Sequence, residues 1–511
     1  MNKLHFPFLL TWILSVILLF TFISLVVNHT IAEAWLILPV LLLLTVAYDT
    51  FQNKHSIRKN FPLFGRLRYF LESFRPEFRQ YFFENELDGK PFNRRQRSIV
   101  YQRAKNVKQT ISFGMQDDPN RIGYEWAAHS VYPKKGDPES FRILIGNTQC
   151  KHPYNASILN IGGMSFGALS KTAISSLNKG AAKGNFAHNT GEGGISNYHL
   201  YGADIIFQFG TGYFGCRNDD GSFSETLFAK KAALAQVKMI ELKLSQGAKP
   251  GHGGLLPAKK NTLEIAAIRH IEPFQTVHSP SAHTAFGNAT ELVHFLGKLR
   301  ELSGGKPVGF KICIGRKKEF TDIIQAISET GIIPDFISID GAEGGTGAAP
   351  LEFIDYMGMA LTDALVFANI TLKEFDLKDH IKIIASGKII TAFDISKALA
   401  LGADACYSSR GMMFALGCIQ ALICDSDKCP VGITTQEKSL YKGINIANKS
   451  ERVANYHKNT MKELSNFIGA CGFQKPNELI PDIFFKRTEQ NLNQSFAELY
   501  FHKTNKTNIK L

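Results

Sequence analysis

Ile158-Leu159-Asn160-Ile161-Gly162-Gly163-Met164-Ser165-Phe166-Gly167 is a short apolar run followed at once by a glycine-bearing loop, and a helical stretch begins at Ser170. The unit recurs. Apolar runs stand at 205–209, 239–244, 308–314, 336–340, 381–385 and 405–408, with helical segments such as 224–236, 320–330 and 392–401 between them. Strands alternating with helices build a parallel sheet, and about eight such units close into a (β/α)8 barrel. An open doubly wound sheet would announce itself with a G-x-G-x-x-G turn after its first strand, which is absent here. The predicted fold class is therefore α/β, a (β/α)8 TIM barrel over residues 151–436.

Chemistry in such a barrel gathers at the C-terminal ends of the strands, where the βα loops meet. Four loops there have a ligand-binding composition: Asn189-Thr190-Gly191-Glu192-Gly193-Gly194; Gln246-Gly247-Ala248-Lys249-Pro250-Gly251-His252-Gly253-Gly254, soon after Lys243; Gly341-Ala342-Glu343-Gly344-Gly345-Thr346-Gly347; and the pair Ser386-Gly387-Lys388 with Ser409-Arg410-Gly411. Glycines let backbone N–H groups approach an anion closely, and the last pair falls on strands seven and eight, the usual phosphate position of this fold. A single glycine cluster says little, because any turn needs one. Their recurrence at strand ends says more. Just beyond stand Cys418, Cys424 and Cys429 in a C-x5-C-x4-C-P pattern, close enough for three thiolates to converge on one iron–sulfur cluster. Cys150, Cys216, Cys313, Cys406 and Cys471 read as small core residues and not as a disulfide framework.

The first fifty residues are a different material. Residues 6–27 carry no charge, and 31–48 carry only Glu33, with Asn28-His29-Thr30 between them as a hairpin tip. Each run approaches the ~20 residues that cross a bilayer as helix, too long and too closely paired for a signal peptide. Lys3 before the first run and Lys54, Arg58, Lys59, Arg66 and Arg68 after the second place both ends on the cytoplasmic side by the positive-inside rule. The expected topology is two-pass, with the barrel in the cytoplasm. Between 54 and 108 there are fourteen Lys/Arg against five Asp/Glu, a large part of the net charge of +13. Beside two apolar spans such charge points to anionic membrane lipid and not to nucleic acid. Residues 51–150 form a basic region that can pack on the barrel or lie on lipid.

Met164-Ser165-Phe166-Gly167, Asn189 to Gly194, Gln246 to Gly251, Gly344-Gly345-Thr346-Gly347-Ala348-Ala349-Pro350 and the cysteine trio with Pro430-Val431-Gly432 follow one another in a single order. That series resembles the FMN-binding synthase domain of glutamate synthases, over residues 151–436. The resemblance implies a barrel carrying FMN and a [3Fe-4S] cluster that reductively aminates 2-oxoglutarate to glutamate with ammonia. It implies Cys418, Cys424 and Cys429 as cluster ligands and Lys311 as a cation near the flavin N1, where it would stabilise the reduced anionic ring. Gly344, Gly345, Thr346, Ser386, Gly387, Ser409, Arg410 and Gly411 would hold the phosphate and ribityl chain, with Gly163 and Ser165 under the isoalloxazine. Lys243, Lys249 and Arg269 are the cations for a dicarboxylate. Glu192 is either the acid/base near the keto carbon or a carboxylate that shapes its own loop. His188 and His252 read as loop-fixing hydrogen-bonders.

Departures from the family pattern set further expectations. No amidotransferase domain is expected, so ammonia would come free or from an amidotransferase partner. With no pyridine-nucleotide fingerprint, electrons would enter through the cluster from a ferredoxin, a flavoprotein subunit or quinol. His252 and Ile195-Ser196 stand where relatives carry acids. An N-methylglutamate synthase-like activity, another 2-oxo or amino acid oxidation, or a membrane electron-transfer or redox-sensing flavoprotein without amination remain as alternatives. Residues 437–511 read as polar helices docked through Phe473 and Phe484-Phe485.

Overall fold

The computed structural model describes residues 5–107 and 109–501. The chain divides into two compact units, residues 1–94 and 95–511. In the first, helix His5–Val27 and helix Ile37–Phe51 run antiparallel, joined through a short 3-10 turn at Glu33–Leu36. The Trp12 indole Nε1 donates to Thr50 Oγ1 at 3.1 Å, tying the start of one helix to the end of the other. Both helices expose leucine and isoleucine around much of their circumference, and Phe8–Val27 and Glu33–Phe51 are long and apolar enough to cross a membrane.

The second unit is built on a closed barrel of eight parallel strands: β1 Leu159–Ile161, β2 His188–Asn189, β3 Ile205–Phe209, β4 Val237–Lys243, β5 Val308–Ile312, β6 Phe336–Asp340, β7 Lys382–Ser386 and β8 Ala405–Ser408. Each strand pairs with its sequence neighbours, and β8 closes on β1 through Tyr407 against Asn160 and Ser408 against Ile161. Seven of the eight are apolar runs in the sequence. The exception is β2, only two residues long and running straight into the Asn189 to Gly194 loop motif, so no run marks it. Helix starts follow local capping chemistry: Ser170 accepts from the Ala173 N–H ahead of helix Lys171–Gly184, and Thr391 with Asp394 forms a capping box ahead of helix Ala392–Ala400.

The C-terminal extension differs from a set of polar helices. Helix Ile446–Ala470 lies along Lys171–Gly184, burying Val453, Tyr456, Met461, Leu464 and Ile468. Beyond it, Phe484–Glu489 and Leu492–Ser495 form an antiparallel hairpin whose first strand pairs with Glu125–Ala127. Phe484 is buried, while Phe473 and Phe485 are only half-buried. The hairpin was hidden because its partner strand lies more than 350 residues earlier in the chain.

The two long helices cross where Gly180 meets Val453. A Cβ added at Gly180 would lie 2.6 Å from Val453 Cβ and 2.8 Å from the Ser450 carbonyl, a backbone atom that cannot swing aside. Gly180→Ala is therefore expected to destabilise the barrel unit by about 1–3 kcal/mol, the usual range for overpacking. Denaturant titration of Gly180→Ala and Gly180→Ala/Val453→Ala checks this, and the second change should restore little, because the Val453 Cβ and the Ser450 carbonyl both remain.

Four buried histidines make the unit acid-sensitive. Burial pushes His199 and His283 down to about 4 and His457 to about 3, and holds His188 well below its ordinary value. The sign follows from linkage: between about 6.5 and 4 the unfolded chain takes up these protons while the folded one does not. Stability is full above pH 6.5 and falls as the pH drops through that window, on the order of 1.4 kcal/mol per pH unit for each histidine. Thermal unfolding of the protein across that range should show a steep acid limb, shallower in His457→Gln.

Candidate active site

Alternation along β4 brings Glu241 and Lys243 to the barrel interior two residues apart, and the neighbouring strands meet them in register. Gln208 on β3 and Gly309 on β5 lie opposite Glu241, and Lys311 on β5 lies opposite Lys243. Glu241 is fully buried and accepts from Asn189 Nδ2 at 2.7 Å, Gln208 Nε2 at 2.5 Å and Ser338 Oγ at 2.5 Å. This polar plug forms the floor of the site. It satisfies a buried carboxylate with three donors and holds Asn189, whose Oδ1 in turn accepts from the Gly191 N–H at 3.0 Å.

Above the floor sit two lysines in register, each beside its own carboxylate. Lys243 Nζ is 2.9 Å from Glu192 Oε1 and donates to Gln246 Oε1 at 2.5 Å, while Lys311 Nζ is 3.2 Å from Asp340 Oδ2. Burial opposes the charge on Lys311, but Asp340 and Glu241 outweigh it, so its pKa is raised and the ammonium persists. Burial likewise opposes the charge of Glu192. Lys243, Lys249 and Arg269 more than offset it, and the carboxyl lies below its ordinary value. The Glu192 loop is close-packed: a Cβ on Gly210 would fall 2.6 Å from Glu192 Oε2 and one on Gly254 3.0 Å from Oε1.

The remaining predicted cations rest on carbonyl oxygens: Lys249 Nζ on Ala348 at 3.1 Å, Arg269 Nη2 on Phe166 at 3.0 Å, and Arg410 Nη2 on Glu343 at 2.5 Å. Burial pushes Arg269 and Arg410 down to about 10, still charged at neutral pH. Arg269 also lies over the Phe214 ring, 5.1 Å from its centroid, and bridges the loops after β1 and β2. Such an arginine orders these loops as much as it presents charge.

The phosphate-type loops adjoin this mouth. Gly341 N–H donates to the Ser386 carbonyl at 2.8 Å, linking the ends of β6 and β7, and a Cβ on Gly345 would fall 2.8 Å from Arg410 Nε. Gly387 has φ +140, a conformation that side chains rarely adopt. The Ser409 hydroxyl makes no cap bond to helix Arg410–Leu416, and the Gly411 position is filled by Ser408 Oγ and Tyr456 OH. Thr346 Oγ1 donates to the Ala348 carbonyl at 3.1 Å, and Gly344 N–H to that of Gly341 at 2.8 Å, so both shape their own loop. Gly163 and Ser165 border the same opening, Gly163 facing Gln208 and Asn189 and Ser165 touching the Gly191 and Gly193 turn. A phosphate-bearing, anionic planar cofactor suits this set: glycine edges for its body and Lys311 and Arg410 for its charges.

Cys418, Cys424 and Cys429 line one small cavity together with Met413, Ile423, Pro430 and Thr434. Among the described residues, no three His, Cys, Asp or Glu side chains are grouped closely enough to hold a metal ion. The donor chemistry nevertheless suits a thiolate-bound centre. Gln420 N–H donates to Cys418 Sγ at 3.4 Å. Burial raises Cys429, but the Thr434 N–H and hydroxyl with the Val431 and Ile433 N–H groups outweigh it and lower its pKa. Burial raises Cys418 to about 12 and also lifts Cys424. The ammonium of Lys260 donates to the Cys424 and Thr434 carbonyls at 2.7 Å each, and the hydroxyl of Tyr101 to the Cys418 carbonyl at 2.5 Å.

Several members of the site carry no local signature. His283 is buried, with Nε2 3.0 Å from the Lys243 carbonyl and Nδ1 3.1 Å from the Tyr213 hydroxyl. Asp340 and Glu241 were legible only as strand residues, and the inward alternation of β4 and β6 is the signal that could have found them. His252 does fix its own loop, Nδ1 lying 2.8 Å from the Gly253 carbonyl, and His188 packs 5.2 Å from His199 in the interior.

Residues 133–474 match a family described as a conserved region in glutamate synthase. The chain is 37% identical over 470 residues to the glutamate synthase large subunit-like protein YerD of Bacillus subtilis (strain 168), covering 84% of this chain and 89% of that protein. It is 34% identical over 364 residues to the archaeal glutamate synthase (NADPH) of Methanocaldococcus jannaschii, covering 71% and 67% of the two chains. With the ferredoxin-dependent glutamate synthase of Cyanidium caldarium it shares 31% over 339 residues, 62% of this chain but only 21% of that one. The matched region contains the whole eight-stranded barrel with the cation-lined mouth and the cysteine cavity. The chain belongs to the glutamate synthase family of oxidoreductases.

Proposed function

We propose that this protein reductively aminates 2-oxoglutarate to glutamate with ammonia, carrying FMN at the β6–β8 loops and a [3Fe-4S] cluster on Cys418, Cys424 and Cys429. The observation that carries the reading is the mouth itself: Lys243, Lys249, Lys311 and Arg269 gather around Glu192, and Lys311 and Arg410 around Asp340, at the strand ends of a barrel whose relatives are named glutamate synthases. Bound FMN supplies the hydride and the cluster supplies electrons one at a time.

The chain's own residues do the rest. Lys249 and Lys243 bind the substrate carboxylates, and Arg269 keeps the loops that present them in place. Imine formation releases one water, so two protons must pass in turn from the attacking nitrogen to the departing oxygen. Glu192, held as carboxylate, accepts each from nitrogen at its Oε atoms and hands it to the oxygen, and Lys243 Nζ, 2.9 Å away, returns it to the ionised form between transfers. Lys311 fixes positive charge where the reduced flavin is negative. The electron donor is a ferredoxin, a flavoprotein subunit or quinol, and relatives are named for both NADPH and ferredoxin. Ammonia arrives free or from an amidotransferase partner. The apolar hairpin anchors the protein as a two-pass membrane protein with the barrel on the cytoplasmic side.

The test is anaerobic. Protein bleached with dithionite should regain its flavin absorbance on addition of 2-oxoglutarate and ammonia and yield one glutamate per two electrons. Faster recovery with methylamine would shift the reading to N-methylglutamate formation. Flavin that stays bleached with both amines would make the chain an electron carrier.

A further inference from the structure

The segment that follows the second apolar helix has a stripe that the barrel chemistry does not use. Helix Phe64–Ser73 continues through Phe74, itself in the α region, into Arg75–Phe78. Phe64, Leu67, Phe70, Leu71, Phe74 and Phe78 are each exposed by 43–58%. At about 100° per residue these six positions fall within an arc of about 120°. Arg68, Arg75 and Arg79 flank one edge of that arc, and residues 54–83 hold seven Lys/Arg against two Asp/Glu.

The stripe is pinned to the end of the second apolar helix. The Asp49 side chain, fully buried near the end of that helix, accepts from Arg66 Nε at 2.8 Å and from the Leu63 N–H at 3.2 Å. Arg66 also lies 5.7 Å over the Tyr48 ring. Gly65 is wedged against the preceding helix Ser56–Asn60: a Cβ there would fall 2.9 Å from Arg58 Cα. The start of the stripe is thereby held within the same compact unit at the point where the apolar helix ends.

We infer that residues 64–83 form an in-plane helix that sinks its aromatic stripe into an anionic lipid surface. The inference rests on the reading of residues 8–51 as membrane-crossing. An apolar arc with one basic edge, clipped to the end of a span, sits at the depth where headgroups meet acyl chains. There its phenylalanines leave water and its arginines meet phosphate. The charge sign and the clip both favour lipid over a protein partner, because a spanning helix brings the clip to headgroup depth.

The test uses the full chain reconstituted in phosphatidylcholine vesicles with or without phosphatidylglycerol, doped with a lipid carrying a photoreactive acyl chain. Adducts are mapped by peptide mass spectrometry. Labelling of both 8–51 and 64–83, stronger with phosphatidylglycerol and reduced about tenfold over 64–83 in L67E/F70E/F74E, is expected. These substitutions fall on exposed positions and leave the Asp49–Arg66 clip intact. Labelled spans with an unlabelled 64–83 overturn the inference alone. Unlabelled spans overturn the anchoring and the inference with it. Labelling independent of phosphatidylglycerol, or cross-links from an unlabelled stripe to the barrel or a second copy, also overturns it.

Discussion

Serine at Cys418, Cys424 and Cys429 together is expected to abolish iron binding while leaving FMN in place. The three thiols line one cavity, and two of them accept hydrogen bonds there. Backbone N–H groups of Val431, Ile433 and Thr434 and the Thr434 hydroxyl surround Cys429, and Gln420 N–H reaches Cys418. Donors of this kind stabilise thiolate ligands and set the potential of the centre they hold. A serine hydroxyl is a far poorer ligand for iron, so the loss should be complete and not partial. Iron analysis and the visible spectrum measure it. The triple variant should keep its flavin bands, lose the broad iron–sulfur absorbance, and accept electrons from dithionite but not through a protein or quinol donor. Iron content equal to the wild type would show that these three cysteines do not hold the iron.

The second large effect is expected at Lys311. Its ammonium sits 3.2 Å from Asp340 Oδ2 and is the cation proposed to face the flavin. Lys311→Met removes the charge at similar length. It leaves Asp340, only 3% exposed, without its ion-pair partner, with the Gly247 N–H at 3.0 Å and the charge of Arg410 still acting on it. Breaking one side of a buried pair costs about 3–5 kcal/mol of stability. Losing a preorganised cation in a water-poor site should also lower kcat by about 10²–10³-fold. The two effects separate by a second variant. Lys311→Met/Asp340→Asn should regain most of the stability, because no orphaned carboxylate remains, but not the rate. Potentiometric titration completes the test: the flavin midpoint should fall in both variants and stay near the wild type in Lys311→Arg. A flavin midpoint unmoved in Lys311→Met would mean that the lysine serves only Asp340.

Much of the barrel was legible because its code is local. A run such as Ile205–Phe209 is buried on both faces, and Ser170 and Thr391 cap helices through bonds to residues three positions on. The glycine loops were legible for a similar reason, since a positive φ or a close backbone approach admits few other residues. The site was harder to read where it depends on orientation. Glu241 looks like any strand residue until the pleat turns it inward against Gln208, Asn189 and Ser338. Arg269, expected to clamp a substrate carboxylate, has its guanidinium on the Phe166 carbonyl more than a hundred positions earlier.

Composition and spacing were enough for the alternation of strand and helix, the two apolar helices, the loops at strand ends and the cysteine trio. Each rests on interactions within a few residues or on the aversion of a whole segment for water. Only the folded chain decided which charges meet. His283 reaches the Lys243 carbonyl across forty residues, Tyr101 reaches Cys418 across more than three hundred, and Glu125–Ala127 finds its partner strand near the other end of the chain. Such contacts leave no local mark, because the free energy that forms them comes from closing the barrel and not from the segments that carry them.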